Sequence, residues 1–155
     1  MPDEATLPTE ATRGLVDTNV VILRDRIAAD ALPDEIAISV VTLGELSVGP
    51  HAVVGDGPEA HAERARRTGI LQRAEAEFDP LPFDADAARV YGELAGALLA
   101  HGRTPRRRHA DLQIAATAVV HAVPLYTTNP DDFAGLEEYL TVVAVPRPAS
   151  DENGA

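Results

Sequence analysis

Five positions spread along the chain carry side chains suited to work on a charged substrate: Asp17, Glu45, Asp111, Asn129 and Asp132. Asp111 is the most informative singly. In the stretch Arg106-Arg107-Arg108-His109-Ala110-Asp111-Leu112-Gln113-Ile114-Ala115-Ala116-Thr117-Ala118, it recurs with Ile114, Ala115, Ala118 and Ala122 at helical spacing. One carboxylate therefore shares an otherwise apolar face, while Leu112, Gln113 and Ala116 turn elsewhere. A carboxylate aimed into a core is costly unless something compensates it. The helix N-terminus supplies part of that compensation through its dipole, and a bound cation would supply more. The plainer reading is an ordinary acidic first turn. Where the other acids fall decides between the two.

Two unit negative charges ~4 Å apart repel by about 4 kcal/mol at an effective dielectric near 20. Three or four gathered together require protons or a cation. The chain has no cysteine, so the donors are oxygens, and oxygen donors select a hard ion, Mg2+ or Mn2+. Such an ion activates water for attack on a phosphodiester, and a second can stabilise the leaving oxygen.

The elements that must gather these acids follow from the hydrophobic pattern. Arg13–Leu23 reads as a short buried strand that breaks at Asp17-Thr18-Asn19 into a helix. Ile36–Val40 reads as a second strand, followed by a helix over Val41–Val48 that Gly49 and Pro50 stop. Glu59–Glu77 is rich in helix formers, with Gly69 expected to interrupt it. Asp79–Phe83 reads as a weak edge strand, because it holds two prolines. Asp84 caps a helix through Leu99, and the helix containing Asp111 runs to about Ala122. Pro124–Thr127 and Leu140–Val145 are the remaining strands, separated by a turn over Asn129–Phe133. Strands alternating with helices predict a parallel α/β sheet, with every strand's carboxyl end on one edge. Asp17, Glu45, Asp111, Asn129 and Asp132 are all candidates for that edge, where ligands of such sheets bind.

Composition sets limits. The chain has 155 residues, 45% of them hydrophobic, enough for a single domain with an ordinary core. Residues 1–12 and 147–155 read as polar tails flanking a domain over 13–146. No signal peptide and no apolar run long enough to span a bilayer are present, which predicts a cytoplasmic protein without membrane contact. The net charge of −12 argues against a whole-surface nucleic-acid binder but permits an acidic catalytic centre with local basic groups. Arg103, Arg106, Arg107 and Arg108 form one such group, and their forked donors suit phosphate. Cations at a helix start oppose its dipole, so a functional reason outweighs a merely solvated one. Thr18 and Asn19 either orient Asp17 and bind phosphate or cap a turn. Ser39 and Thr42 either hold Glu45 or start its helix, with capping favoured. Thr128 is a candidate for a phosphate or carboxylate contact, and His109 reads as a surface histidine. Tyr91, Leu94 and Leu98, or the positions around Ile70 and Leu71, make either a partner groove or internal core, with core favoured.

Four motifs now stand in order: Asp17-Thr18-Asn19, Ser39-x-x-Thr42-x-x-Glu45-Leu46, His109-x-Asp111-x-x-Ile114-Ala115-Ala116-Thr117-Ala118 and Thr127-Thr128-Asn129-x-x-Asp132-Phe133. Together they resemble the PIN-domain nucleases, above all the VapC toxins of bacterial toxin–antitoxin pairs. The resemblance runs from about Leu15 to Val145. It implies a three-layer α/β/α fold with a central parallel sheet and a Mg2+- or Mn2+-dependent endoribonuclease acting on RNA. It further implies a cognate VapB-type antitoxin that wraps a groove on the toxin, and a homodimer. Metal-binding roles carry over to Asp17, Glu45 and Asp111. For the fourth acid, many relatives carry Asp where Asn129 stands and others use the Asp before Phe, here Asp132. We assign Asp132 as the fourth catalytic acid and Asn129 as a polar neighbour. Substrate-binding candidates are Thr18, Asn19, Arg106, Arg107, Arg108, Thr128 and Asn129. The alternatives are a housekeeping RNA-processing nuclease, or a degenerate PIN fold that only binds protein.

Overall fold

Leu15 and Val16 are consecutive and both buried. Successive strand residues point to opposite faces, so this strand must be covered on both sides. The computed structural model describes residues 11–104 and 108–149. Its four-stranded sheet consists of β1 (Arg13–Val16), β2 (Glu35–Ala37), β3 (Leu125–Thr127) and β4 (Val142–Ala144), in the order β2-β1-β3-β4 with every pairing parallel. The helices are α1 (Thr18–Leu23), α2 (Val40–Val48), α3 (Pro58–Glu77), α4 (Ala85–Ala100) and α5 (His109–Val120). Leu15 and Leu125 pack with Leu94 and Leu98 of α4 and Leu112 and Ile114 of α5. Val16 and Tyr126 face the other way, against Val20, Leu46, Ile70 and Ala74 from α1, α2 and α3. The result is a parallel sheet, as the alternating pattern predicts, inside the three-layer α/β/α arrangement that the resemblance implies.

β1 lies in the middle. Leu15 is in register with Ala37 of β2 on one side and with Leu125 of β3 on the other. The chain leaves β1 for β2 and later returns to β3 on the opposite flank. The connection therefore changes direction between β1 and β3, and a crevice opens outside their carboxyl ends.

Several elements differ from the sequence expectation. The edge strand at Asp79–Phe83 shrinks to a single bridge, Ser39 to Leu81. Pro80 and Pro82 have no N–H, so Leu81 alone pairs, donating to Ile38 O at 2.8 Å and accepting from Val40 N–H at 2.9 Å. Gly69 does not interrupt α3, which runs unbroken from Pro58 to Glu77. A single helical glycine costs only about 1 kcal/mol, less than the packing of Ile70 and Ala74 supplies. The buried surface of α5 is wider than one stripe: Leu112 and Ala116 are buried along with Ile114, Ala115, Thr117 and Ala118. Ala122 lies beyond α5 with φ +53°, so it is not part of the helical face. Leu94 and Leu98 belong to the core rather than to a groove.

The chain just outside the sheet is tied to it. Thr12 exchanges hydrogen bonds with Asp34, and Arg26 donates to the carbonyl of Ala149. Residues 1–10 and 150–155 of the expected tails lie outside the described residues. Among the described residues no helix is long and apolar enough to cross a membrane.

Close approach of β1 to β3 depends on Gly14. A Cβ there would lie 2.3 Å and 2.5 Å from two ring carbons of Tyr126. Gly14→Ala is expected to destabilise the protein by about 1–3 kcal/mol, as overpacking does, read as a lower urea midpoint at unchanged slope. An unchanged midpoint would mean that the Tyr126 ring yields freely and that this contact does not set the strand spacing.

Candidate functional site

Asp17 follows β1 and caps α1. Its backbone N–H continues the sheet by donating to Tyr126 O at 2.9 Å. One carboxylate oxygen accepts from Thr18 N–H at 2.8 Å, and the other accepts from the Thr127 hydroxyl at 3.0 Å. Asp17 is thus held across the crevice between β1 and β3. It is only 6% exposed, and that burial raises its pKa against the opposing pull of the Thr18 and Thr127 hydrogen bonds. The Thr127 hydroxyl also accepts Asn129 N–H at 3.0 Å, which shapes the turn after β3.

Glu45 sits on α2, one residue before buried Leu46. Its Oε1 accepts from the Thr18 hydroxyl at 2.7 Å. That hydroxyl lies 2.9 Å from the Thr42 hydroxyl, itself 3.4 Å from Ser39 Oγ. Ser39 caps α2 by accepting Thr42 N–H at 3.0 Å. Capping is thus what Ser39 does, while neither Ser39 nor Thr42 bonds Glu45 directly; Thr42 reaches it only by way of Thr18.

Asp111 is in the first turn of α5. Burial pushes its carboxyl up to about 6, and Asp17, Asp132 and Glu45 push the same way while Arg108 opposes them. Asp132 lies in the short 3-10 turn Pro130–Phe133, next to buried Phe133. Arg108 donates to its backbone oxygen at 2.8 Å and lies 3.2 Å from its Oδ1.

These four acids, from four separate segments, line one cavity of about 340 Å³, whose wall Thr18, Asn19, Ile22 and Asn129 complete. Thr128 does not line it; its hydroxyl accepts a long 3.5 Å contact from Asn129 Nδ2. Arg108 lines an adjoining cavity of about 380 Å³, with Arg103 and Asp132 in its wall. Arg106 and Arg107 lie outside the described residues. His109 is no lone surface histidine, since its ring stacks on Tyr91 and its Nδ1 bonds the Tyr91 hydroxyl. Sequence reasoning passed over Thr127 as a support for Asp17. Its signal is a hydroxyl ending an apolar strand, legible only once β3 is known to lie beside β1.

The donor set suits a hard divalent cation: it is all oxygen, and after burial the three other acids raise the proton affinity of Asp111, which a positive charge would relieve. As the side chains stand, no three or more His, Asp or Glu among the described residues are grouped to hold an ion.

Comparison with known proteins places this geometry. A sequence model of the PIN domain matches residues 14–138. Ribonuclease VapC5 of Mycobacterium tuberculosis is 37% identical over 134 residues, covering 84% of this chain and 93% of the relative. Ribonuclease VapC4 of the same organism is 36% identical over 132 residues, covering 81% and 92%. The crystal structure of VapBC-5, a member of the VapBC family of toxin–antitoxin systems from M. tuberculosis, superposes with a TM-score of 0.70 at 37% identity, covering 84% of this chain and 95% of that one.

The raised pKa of Asp111 links stability to pH. Its folded value of about 6 exceeds the unfolded value of about 3.9, so folding favours the protonated form. Its contribution is whole below about pH 4 and is lost as pH rises through about 6. In EDTA, Asp111→Asn is therefore expected to melt above the parent protein near pH 7, with the gap closing towards pH 4. A gap that stays constant across this range would show that neither burial nor the neighbouring acids raise the Asp111 carboxyl.

Proposed function

The chain belongs to the PIN-domain family, and on that premise we propose that it is a VapC-type toxin, an endoribonuclease that hydrolyses RNA phosphodiesters with the help of Mg2+ or Mn2+. The observation that carries this reading is the shared cavity of Asp17, Glu45, Asp111 and Asp132, with burial and its three acidic neighbours raising Asp111. These four acids would hold the ion. When bound, it supplies positive charge for the phosphoryl oxygens and lowers the pKa of water.

The chain's own residues do the rest. Thr18 N–H and the Thr127 hydroxyl fix both oxygens of Asp17, so its orientation is set before substrate arrives. Thr18, Asn19 and Asn129 give the cavity wall neutral hydrogen-bonding groups for phosphate and sugar. Arg108, anchored on Asp132 at the rim, presents a guanidinium to the RNA backbone. Attack of water on phosphorus breaks one ester P–O bond and leaves a phosphomonoester and a free hydroxyl.

For a partner, we propose a VapB-type antitoxin. A smaller cavity of about 160 Å³ lies between Ile22, Leu46 and Ile70, with Arg66 and Arg67 beside it, and shares Ile22 and Glu45 with the acidic cavity. An antitoxin segment seated there would reach the acids directly.

A second reading, a protein-binding module without catalysis, draws on Asn129 and on the acids not being grouped to ligate as they stand. Calorimetric titration with Mn2+ separates the two, because the module has no site that Asp17→Asn abolishes. Asp111→Asn is expected to abolish RNA cleavage while circular dichroism shows an intact fold. Undiminished metal-dependent cleavage by that variant would remove the nuclease assignment. Induced expression is expected to arrest growth, with rescue by a small co-expressed partner; growth without arrest would favour an RNA-processing role.

A further inference from the structure

Three hydroxyls connect the start of α2 to Glu45. Ser39 and Thr42 are fully buried, and Thr18 is half-buried at the start of α1. Each hydroxyl has one proton, and that settles the direction of every bond. The Glu45 carboxylate accepts, so Thr18 donates its only proton there, at 2.7 Å. In the 2.9 Å contact between Thr18 and Thr42, Thr42 is then the donor. Thr42 must in turn accept from Ser39, at 3.4 Å. Ser39 remains able to do so, because capping uses a lone pair of its oxygen and leaves its proton free. All three protons thus point the same way, towards Glu45.

Capping alone does not explain Thr42. Helical Ser and Thr hydroxyls commonly bond back to the carbonyl four residues earlier. In this chain Ser47 does so with Leu43, Thr68 with Arg64 and Thr117 with Gln113. The Thr42 hydroxyl stands in the first turn of α2, where the carbonyl four residues back belongs to Ile38, outside the helix, and already accepts from Leu81 N–H; it crosses to α1. The carboxylate it serves lies at an exposed position, where an unsupported Glu side chain would sample many rotamers.

We infer that Ser39, Thr42 and Thr18 form a one-way hydroxyl relay that fixes Glu45 Oε1 and thereby presets the carboxylate for a divalent cation, which makes Thr42 a positioning residue. This rests on the reading of the acidic cavity as a metal site. Hydrogen bonds that orient a ligating carboxylate govern metal affinity, and aligned hydroxyls polarise one another along the chain.

The test is Mn2+ affinity of the full chain by isothermal titration calorimetry. Thr42→Val keeps shape and removes the hydroxyl, whereas Thr42→Ser keeps the hydroxyl. Thr18→Val breaks the last link at a half-buried position and decides the matter should Thr42→Val fail to fold. Both valine variants are expected to bind Mn2+ about tenfold more weakly or worse, and Thr42→Ser within about twofold of the parent. Valine variants that bind like the parent, while Asp17→Asn does not, would overturn the relay and leave the metal site standing. A serine variant as weak as Thr42→Val would also overturn it, since lost volume rather than a lost proton would be the cause. Should Asp17→Asn itself bind Mn2+ unchanged, the metal-site reading falls, and the relay's role with it.

Discussion

Mutual repulsion among four carboxylates is the constraint the rest of the structure serves. Asp17, Glu45, Asp111 and Asp132 line a single cavity in a chain whose net charge is already −12. Left to itself, an unfolded chain would keep these groups apart. The folded protein holds them together, and burial, with the other three acids acting the same way, raises the proton affinity of Asp111. Two kinds of group offset the repulsion within the chain: Arg108, which pairs with Asp132, and the hydrogen-bond donors on Asp17 and Glu45. Neither cancels the excess negative charge, so the cavity stays acidic.

The framework that bears this repulsion is apolar, and its relation to the acids is regular. Each acid is the immediate neighbour of a buried residue: Val16 before Asp17, Leu46 after Glu45, Leu112 after Asp111 and Phe133 after Asp132. The apolar neighbour anchors the backbone in one of the two cores, and the acid beside it is carried to the cavity. Val16 and Leu46 anchor in the core of α1, α2 and α3, Leu112 and Phe133 in the core of α4 and α5. Helices from both faces of the sheet therefore contribute to one site at its edge. This is the placement a parallel sheet with a reversal of strand order makes available.

The two ends of Thr18 join these themes. Its backbone N–H serves Asp17 and its side chain serves Glu45, so one residue at the β1–α1 junction orients two acids. Thr127 plays the matching part from β3, holding Asp17 with its hydroxyl while accepting from the turn that leads to Asp132. Precision at the site thus comes from short side chains on rigid elements rather than from long charged ones.

Much of this was legible in the amino-acid order. Periodicity located the strands and helices, and four motifs located the acids, because both signals are local: a run of apolar residues, or a polar residue set against it. Local signals misjudged features that depend on competition. Gly69 was outweighed by packing, and the strand at Asp79–Phe83 shrank to one bridge because its prolines cannot donate. What only the tertiary structure decided is which groups meet. Thr127 lies 110 residues from Asp17 and Thr42 lies 24 from Thr18. No spacing rule along the chain predicts a hydrogen bond over such intervals, since strand order and helix docking set them. Residue types and local pattern were enough to make these acids candidates for one sheet edge. The hydroxyls that aim them, and the arginine that tempers them, became visible only when distant segments were packed together.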